Sequence, residues 1–377
     1  MSIKIGILFK NFGPYHFARI EGCINSFKNP PIEVIPIELG KAQTEYAWVT
    51  EHRKKNYPIV SVIEDEQLEK VNPLQLVFKL NQALNKLQPD VLAIAGYFEL
   101  GMLFALIWCL WHRKSIILLS ESMENDAPRF QLRELIKQKI IQQYDAALVG
   151  GTPHKRYFAK LGMPSQAIFL GYDVVGNHAF HPALIGHLPR PLNNPYFLAV
   201  NRFIPKKNLA FLIDSYAIYR QQKGHEAWHL VLSGEGELRS EIEQKIKQLG
   251  LTDWVHLTGF LQQEELLPYF AHASCFIHAS IQEQWGLVVN EAMAAGLPVL
   301  VSNRCGCFED LVLEGINGFG FDPTDQQALT ELMLKMSSSE VDLSAMGQAS
   351  LQHIQQFSPD FFAQGLKQAV EYSLAFA

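Results

Sequence analysis

Short unbroken apolar runs alternate with longer stretches of helical spacing along most of this chain. Such alternation predicts a parallel sheet covered by helices on both faces. Ile3 to Lys10 reads as a buried strand, followed by a Gly13-Pro14 turn, a helix from about Tyr15 to Phe27 and a second strand over Ile32 to Leu39. Residues 41 to 73 are polar and carry no clear period. Leu74 to Leu87 is helical and leads into a buried strand, Pro89 to Gly96. Leu100 to Trp111 is apolar throughout and closed by His112-Arg113-Lys114. At about twelve residues it is too short for a bilayer, which takes about 20, so a core helix is expected. Strands over Ser115 to Leu119 and Ala146 to Val149 bracket a helix from about Arg129 to Gln143, and Ala167 to Leu170 closes the first half.

From Gly171 to Pro195 prolines and glycines recur without an apolar period, which marks a linker. The alternation then restarts with strands at Tyr196 to Val200, His229 to Ser233, Val255 to Thr258, Cys275 to Ala279 and Pro298 to Val301. Helices are expected over Asn208 to Gln221, Leu238 to Leu249 and Glu264 to Ala271, then after Gly286 and from about Gln326. The expected fold is α/β, two Rossmann-like domains facing each other across a cleft. Cleft sites between domains are common ligand sites.

The 377 residues are 48% hydrophobic and 19% charged, enough for about two domains at roughly 100 to 200 residues each. Residues 1 to 175 carry 20 Lys and Arg against 17 Asp and Glu, whereas residues 176 to 377 carry 12 against 21. The acidic second half argues against a nucleic-acid partner, which needs clustered positive charge. The mildly basic first half leaves peripheral contact with a membrane surface open. Arg129, Arg133, Lys137 and Lys139 share part of one surface of a helix, with Leu132, Leu135, Ile136 and Ile140 on another; a solvated amphipathic helix is the default reading, and docking to an anionic membrane is the alternative. Five cysteines form no paired framework, and the chain opens on a strand pattern rather than a signal peptide. A cytoplasmic location is expected, with the inner membrane face the place of any lipid contact. Cys305-Gly306-Cys307 is too tightly spaced for an ordinary zinc knuckle.

The segment from Glu283 to Glu291 concentrates the candidate chemistry. Glu283 falls on the loop at a strand's carboxyl end, and Glu291 lies one turn into the helix after Gly286. In an open α/β sheet that crevice binds ligands, and a helix amino terminus there favours an anionic group. Two carboxylates would repel the anion itself, so they suit the neutral hydroxyls of a sugar and a ribose. Gly234 and Gly236 lack the third glycine of a dinucleotide fingerprint, which disfavours a nicotinamide cofactor.

Five blocks in order resemble the nucleotide-binding half of retaining GT-B enzymes, specifically glycosyltransferase family 4. Asn201-Arg202-Phe203-Ile204-Pro205-Lys206-Lys207-Asn208 resembles the family's Gly-Arg-Leu-x-x-x-Lys-Gly, and Ser233-Gly234-Glu235-Gly236-Glu237-Leu238 its glycine-rich strand end. Gly259-Phe260-Leu261 resembles the segment bordering the base, Glu283 to Glu291 the paired glutamates, and Asn317-Gly318-Phe319 with Asp322-Pro323 the closing turn. The resemblance covers about residues 196 to 330. Departures are Gln284-Trp285-Gly286 where the family has Gly-Phe-Gly, and Cys305 for the first glycine of the block containing Glu309.

The resemblance implies that Arg202 and Lys207 neutralise the leaving diphosphate, Glu283 grips the transferred sugar and Glu291 the ribose. Trp285, Gly286, Leu287, Gly234 and Phe260 would line the donor. In the first half the loop Phe12-Gly13-Pro14-Tyr15-His16 resembles the one facing the donor sugar, making Gly13 and His16 candidates. Relatives often carry a histidine at the ends of the middle strands; this chain has Gly96-Tyr97 and Ser120-Glu121-Ser122 there, so Tyr97, Glu99, Glu121 and His16 are the candidates to replace it. The implied layout is an acceptor-binding domain over 1–175, a linker over 176–195, a nucleotide-sugar-binding domain over 196–360 and a helix over 361–377 returning to the first domain. Implied activity is retaining transfer of a hexose from a nucleoside diphosphate sugar, UDP preferred, to a hydroxyl acceptor, with no metal and no cofactor beyond that co-substrate. A silent nucleotide-sugar-binding subunit, or a GT-B epimerase or hydrolase, is the alternative.

Overall fold

Strands apolar on both sides need cover on both sides, and each half of the chain supplies it. A computed structural model describes residues 2–28, 31–42, 56–126 and 130–375. They divide into two units, Met1–Gly176 with Phe357–Ala377, and Asn177–Gln356. Arg129 and residues 43–55 of the unassigned stretch after Lys41 lie outside the described residues.

The first unit runs β1 (Ile3–Phe9), α1 (Pro14–Ser26), β2 (Ile32–Ala42), β3 (Val60–Gln67), α2 (Pro73–Leu87), β4 (Val91–Ala95), α3 (Leu100–His112), β5 (Ser115–Ser120), α4 (Gln131–Ile141), β6 (Ala146–Val149), α5 (Thr152–Lys160) and β7 (Ile168–Leu170). Its seven strands are parallel in the order β3-β2-β1-β4-β5-β6-β7. Helix α2 shows how local rules set an element. Asn72 caps it by accepting from the Leu74 N–H at 2.9 Å, Pro73 fills its first position, and Leu76, Leu80 and Leu84 bury one stripe. Helices α2 to α5 cover one face of the sheet, with Leu80, Trp108, Ile141 and Phe158 in one core.

The second unit runs α6 (Pro182–Ile185), β8 (Tyr196–Val200), α7 (Leu209–Lys223), β9 (His229–Ser233), α8 (Arg239–Gln248), β10 (Val255–Gly259), α9 (Gln263–His272), β11 (Cys275–His278), α10 (Leu287–Ala294), β12 (Val299–Ser302), α11 (Phe308–Leu311), β13 (Gly318–Phe321), α12 (Gln326–Met336) and α13 (Leu343–Ile354). Six parallel strands stand in the order β10-β9-β8-β11-β12-β13. The chain winds outward from β8 to one edge and resumes at β11 beside β8. The switch point therefore falls between β8 and β11, where an open α/β sheet leaves its ligand crevice.

The carboxyl-terminal helix, α14 (Pro359–Ala375), belongs to the first unit and covers the face that α2 to α5 leave open, with Phe362 and Leu366 in a core shared with Ile20 of α1. The backbones meet so closely that a Cβ on Gly22 would lie 2.4 Å from the Pro359 carbonyl oxygen, and one on Gly365 would lie 2.2 Å from that of Leu170. The return begins at Phe357, slightly before the expected residue 361. The expected linker differs more. Residues 177–195 belong to the second unit: Phe180 and Ile185 are buried, the Phe180 ring meets Phe270 edge-on at 5.6 Å, and Asn177 donates to the Ile354 carbonyl at 2.9 Å. A few anchoring side chains hold this segment, which is why it has no apolar period. Ahead of that returning helix, where one helix from about Gln326 is expected, there are two, since Asp325 and Asp342 each cap a new start.

Candidate active site

Two loops meet at the β8/β11 switch point. The first leaves β8 through Asn201 and Arg202 and makes a short turn over Pro205–Lys207 before α7. The second runs from His278 to Gly286, where α10 begins. The Ile281 N–H donates to the Lys206 carbonyl at 3.0 Å and ties the loops together. Behind the second loop, the Gly306 N–H donates to the Glu283 carbonyl at 3.0 Å and the Cys307 N–H to that of Trp285 at 3.2 Å. The Cys-Gly-Cys segment thus clamps the glutamate loop through its backbone, and all five cysteines are free and buried.

Side chains converge on Oε2 of Glu283. Lys207 Nζ donates to it, Ser280 Oγ donates at 3.2 Å, and His278 Nε2 lies 3.3 Å away. Burial alone would raise the Glu283 carboxyl; the hydrogen bond with His278 and the Lys207 ammonium outweigh it and hold the group well below the usual carboxylate range. His278 moves the other way: burial lowers it, the Glu283 hydrogen bond offsets part of this, and Lys207 adds to the lowering. A neutral imidazole donating from Nε2 leaves Nδ1 as an acceptor, and that atom is buried without a hydrogen-bond partner. Gly286 has φ 106°, the left-handed region, and a Cβ there would come within 3.3 Å of His278 Nε2. No side chain caps the first turn of α10; the Val289 N–H bonds the Gly286 carbonyl at 2.8 Å, and the N–H groups of Leu287 and Val288 remain for an anion.

Glycine geometry sets the neighbouring wall. Gly234 has φ 135°, and a Cβ on it would sit 1.8 Å from the Asn201 carbonyl oxygen. The end of β9 therefore lies directly against the loop after β8, joined by Phe203 N–H to the Glu235 carbonyl at 2.7 Å. Asn201 is 7% exposed, yet neither atom of its side-chain amide has a partner. Buried polar groups are ordinarily satisfied, and within the chain this amide is not.

The expected residues fall into groups. Lys207, Glu283 and Gly286 come together, Arg202 stands exposed on the same loop as Lys207, and Leu287 opens α10. Glu291 is buried one turn further along α10. Phe260 is exposed just beyond β10, and Glu309 lies in α11. Trp285 departs from expectation as a ligand contact: its ring is 1% exposed and its Nε1 donates to Asn290 at 2.8 Å. It packs the base of the glutamate loop, and its indole is closed to ligand.

In the first unit, Gly13 caps α1 and its N–H donates to His16 Nδ1 at 3.0 Å. Burial, then the nearby Arg19 charge, push the His16 imidazole down to about 3. It is a neutral ring with Nδ1 occupied. The same arrangement recurs at α5, where the Gly151 N–H donates to His154 Nδ1 at 3.2 Å. Tyr97 is buried and donates to Ser122 at 3.1 Å, while Glu99 pairs with Lys10 at 2.9 Å. Glu121 faces the buried Asp173, whose carboxyl is raised by burial first and by Glu121 next, against an Arg19 partner at 3.3 Å. These polar groups serve one another as well as any ligand.

Sequence reasoning missed His278, Ser280 and the orphaned amide of Asn201. The available signal was a lone histidine closing the apolar run Cys275-Phe276-Ile277. A cavity of about 690 Å³ beside Asp214, Arg220, Leu251 and Trp254 shares no residue with this site.

Residues 182–353 match the family described as Glycosyl transferases group 1. The amylovoran biosynthesis glycosyltransferase AmsK of Erwinia amylovora is 30% identical over 189 residues, 48% of this chain and 45% of AmsK. Mannosylfructose-phosphate synthase of Agrobacterium fabrum is 28% identical over 144 residues, 37% of this chain and 32% of that protein. The chain thus matches half or less of these relatives' length. The solved Anabaena protein Alr3699/HepE, in complex with UDP and glucose, superposes with a TM-score of 0.78 at 18% identity, covering 98% of this chain and 100% of that one. The fold is therefore that of the GT-B glycosyltransferases, two parallel-sheet Rossmann-like α/β domains.

Proposed function

We propose that this chain, whose residues 182–353 match the Glycosyl transferases group 1 family, is a retaining hexosyltransferase. It takes its sugar from a nucleoside diphosphate, UDP by preference, and passes it to a hydroxyl acceptor without a metal. The observation that carries this reading is the cluster of Lys207, Glu283 and the uncapped start of α10 at the switch point of a parallel sheet. The complex of Alr3699/HepE with UDP and glucose supports the choice of donor.

Breaking the bond between anomeric carbon and diphosphate places growing negative charge on the leaving oxygen. Arg202, Lys207 and the N–H groups opening α10 supply positive potential there, the role that a metal fills elsewhere. Glu283, held ionised, accepts hydrogen bonds from hydroxyls of the transferred sugar, and Glu291 accepts them from the ribose. His278 is a positioning residue: buried and neutral, it fixes the Glu283 carboxylate without adding a charge. Retention follows if the acceptor hydroxyl approaches the face that the diphosphate leaves and passes its proton to the departing phosphate oxygen. No protein nucleophile is then required.

Thermal stabilisation of the purified chain by a panel of nucleotides and nucleotide sugars, without added metal, tests the donor site. A selective shift with UDP and one UDP-sugar is expected. No shift with any nucleotide would overturn the reading. Product analysis then separates the chemistry: transfer with the donor's anomeric configuration kept is expected, whereas binding without turnover on any hydroxyl acceptor would mark a silent subunit.

A further inference from the structure

Among the described residues nineteen large hydrophobic side chains are exposed, and eleven of them lie on or beside the three adjacent helices α2, α3 and α4. These helices cover one face of the first unit's sheet and are tied side by side. Trp108 Nε1 donates to Asn85 Oδ1 at 3.0 Å between α3 and α2, and Lys137 Nζ of α4 lies 6.0 Å from the Phe98 ring centre at the head of α3. Trp111 is 84% exposed, Leu74 79% and Leu132 71%. On α3 the exposed residues Leu100, Ile107 and Trp111 recur at helical spacing and form an outward stripe beside the buried one of Met102, Ala105 and Cys109. On helix α4 Leu132, Leu135 and Ile136 face out and Ile141 alone is buried, which goes against the default of a solvated helix with its apolar side on the core.

Charge decides what this surface fits. The three helices carry Lys79, Lys86, Arg133, Lys137 and Lys139 against a single acid, Glu134, which is bonded to Tyr157 and paired with Lys137. Arg113 adds another exposed cation at the end of α3. We propose that the outer face of α2, α3 and α4 docks on an anionic lipid bilayer, its aliphatic side chains and Trp111 entering the headgroup boundary and its basic residues meeting lipid phosphates. Aromatic rings at the water boundary and cations beside apolar stripes are what such contact uses. A second copy of this chain fits worse, because it would set one basic face against another. No described helix is long and apolar enough to cross a membrane, so the contact lies in the plane of the surface.

Flotation of the full chain with vesicles tests this independently of nucleotide binding. Binding is expected to vesicles of phosphatidylglycerol and phosphatidylcholine, to weaken with salt, and to be negligible on phosphatidylcholine alone. The double variant Trp111→Glu, Leu132→Glu should lower vesicle partitioning by about tenfold or more, and Arg133→Glu, Lys139→Glu should abolish the preference for anionic lipid. All four side chains are exposed, so unchanged circular dichroism is expected and confirms folding. Absence of binding to anionic vesicles at low salt, binding indifferent to both double variants, or a dimer in solution that Leu132→Glu dissociates would each overturn the proposal.

Discussion

Lys207 donates to the same Glu283 oxygen that receives the Ser280 hydroxyl and lies beside His278 Nε2, so the two residues form one charged unit. Both are 12% exposed. Removing one partner of such a pair strands the other charge, which costs more than the pair contributes. Lys207→Met should destabilise the chain by about 2–4 kcal/mol, and adding Glu283→Gln should recover part of that loss. A double-mutant cycle in denaturant measures the coupling; additive losses would show two independent groups.

Arg202 and Glu291 should separate in kinetics. Arg202→Ala is expected to lower turnover more than donor affinity, because its charge matters most as the diphosphate departs. Glu291→Ala should chiefly weaken donor binding. Equal and undiminished kinetics in both variants would remove the donor site from this region.

The unpartnered amide of Asn201 sets stability against binding. Asn201→Ala removes a buried group that the chain leaves unsatisfied, so the free protein should gain stability, on the order of 1 kcal/mol. Its stabilisation by UDP should shrink. Paired melting curves with and without nucleotide check this, and a less stable free variant would refute it.

Acid should destabilise the chain through its histidines before its carboxylates. Burial holds His16 at about 3 and lowers His278, His229 and His256 as well. Each takes a proton at about 6.5 when unfolded but resists it when folded. Their contribution is therefore complete above about pH 6.5 and is lost as pH falls toward the folded values, at no more than about 1.4 kcal/mol per pH unit for each group. Melting temperature across pH measures the slope. His16→Asn, which keeps an acceptor for the Gly13 N–H, should flatten it; an unchanged slope would show that His16 is not part of it.

Much of the architecture can be read from residues alone, because Val91–Ala95 or His229–Ser233 can be little other than buried strands. The paired glutamates and the Arg202 to Lys207 spacing are equally readable. What cannot be read is orientation. Trp285 sits among ligand candidates in sequence, but Asn290 draws its indole into the core. His278 looks like an ordinary core histidine until the loop after it folds back and brings Glu283 alongside. Helical period shows that Leu132, Leu135 and Ile136 share a face, and only tertiary packing determines that this face turns outward.

Helix α14 is translated after the whole of the second unit, yet it forms one wall of the first. A nascent chain therefore carries its first sheet with the Ile20 side of α1 uncovered until α14 leaves the ribosome. Truncation before Phe357 should accordingly damage the distant amino-terminal unit while sparing the neighbouring one.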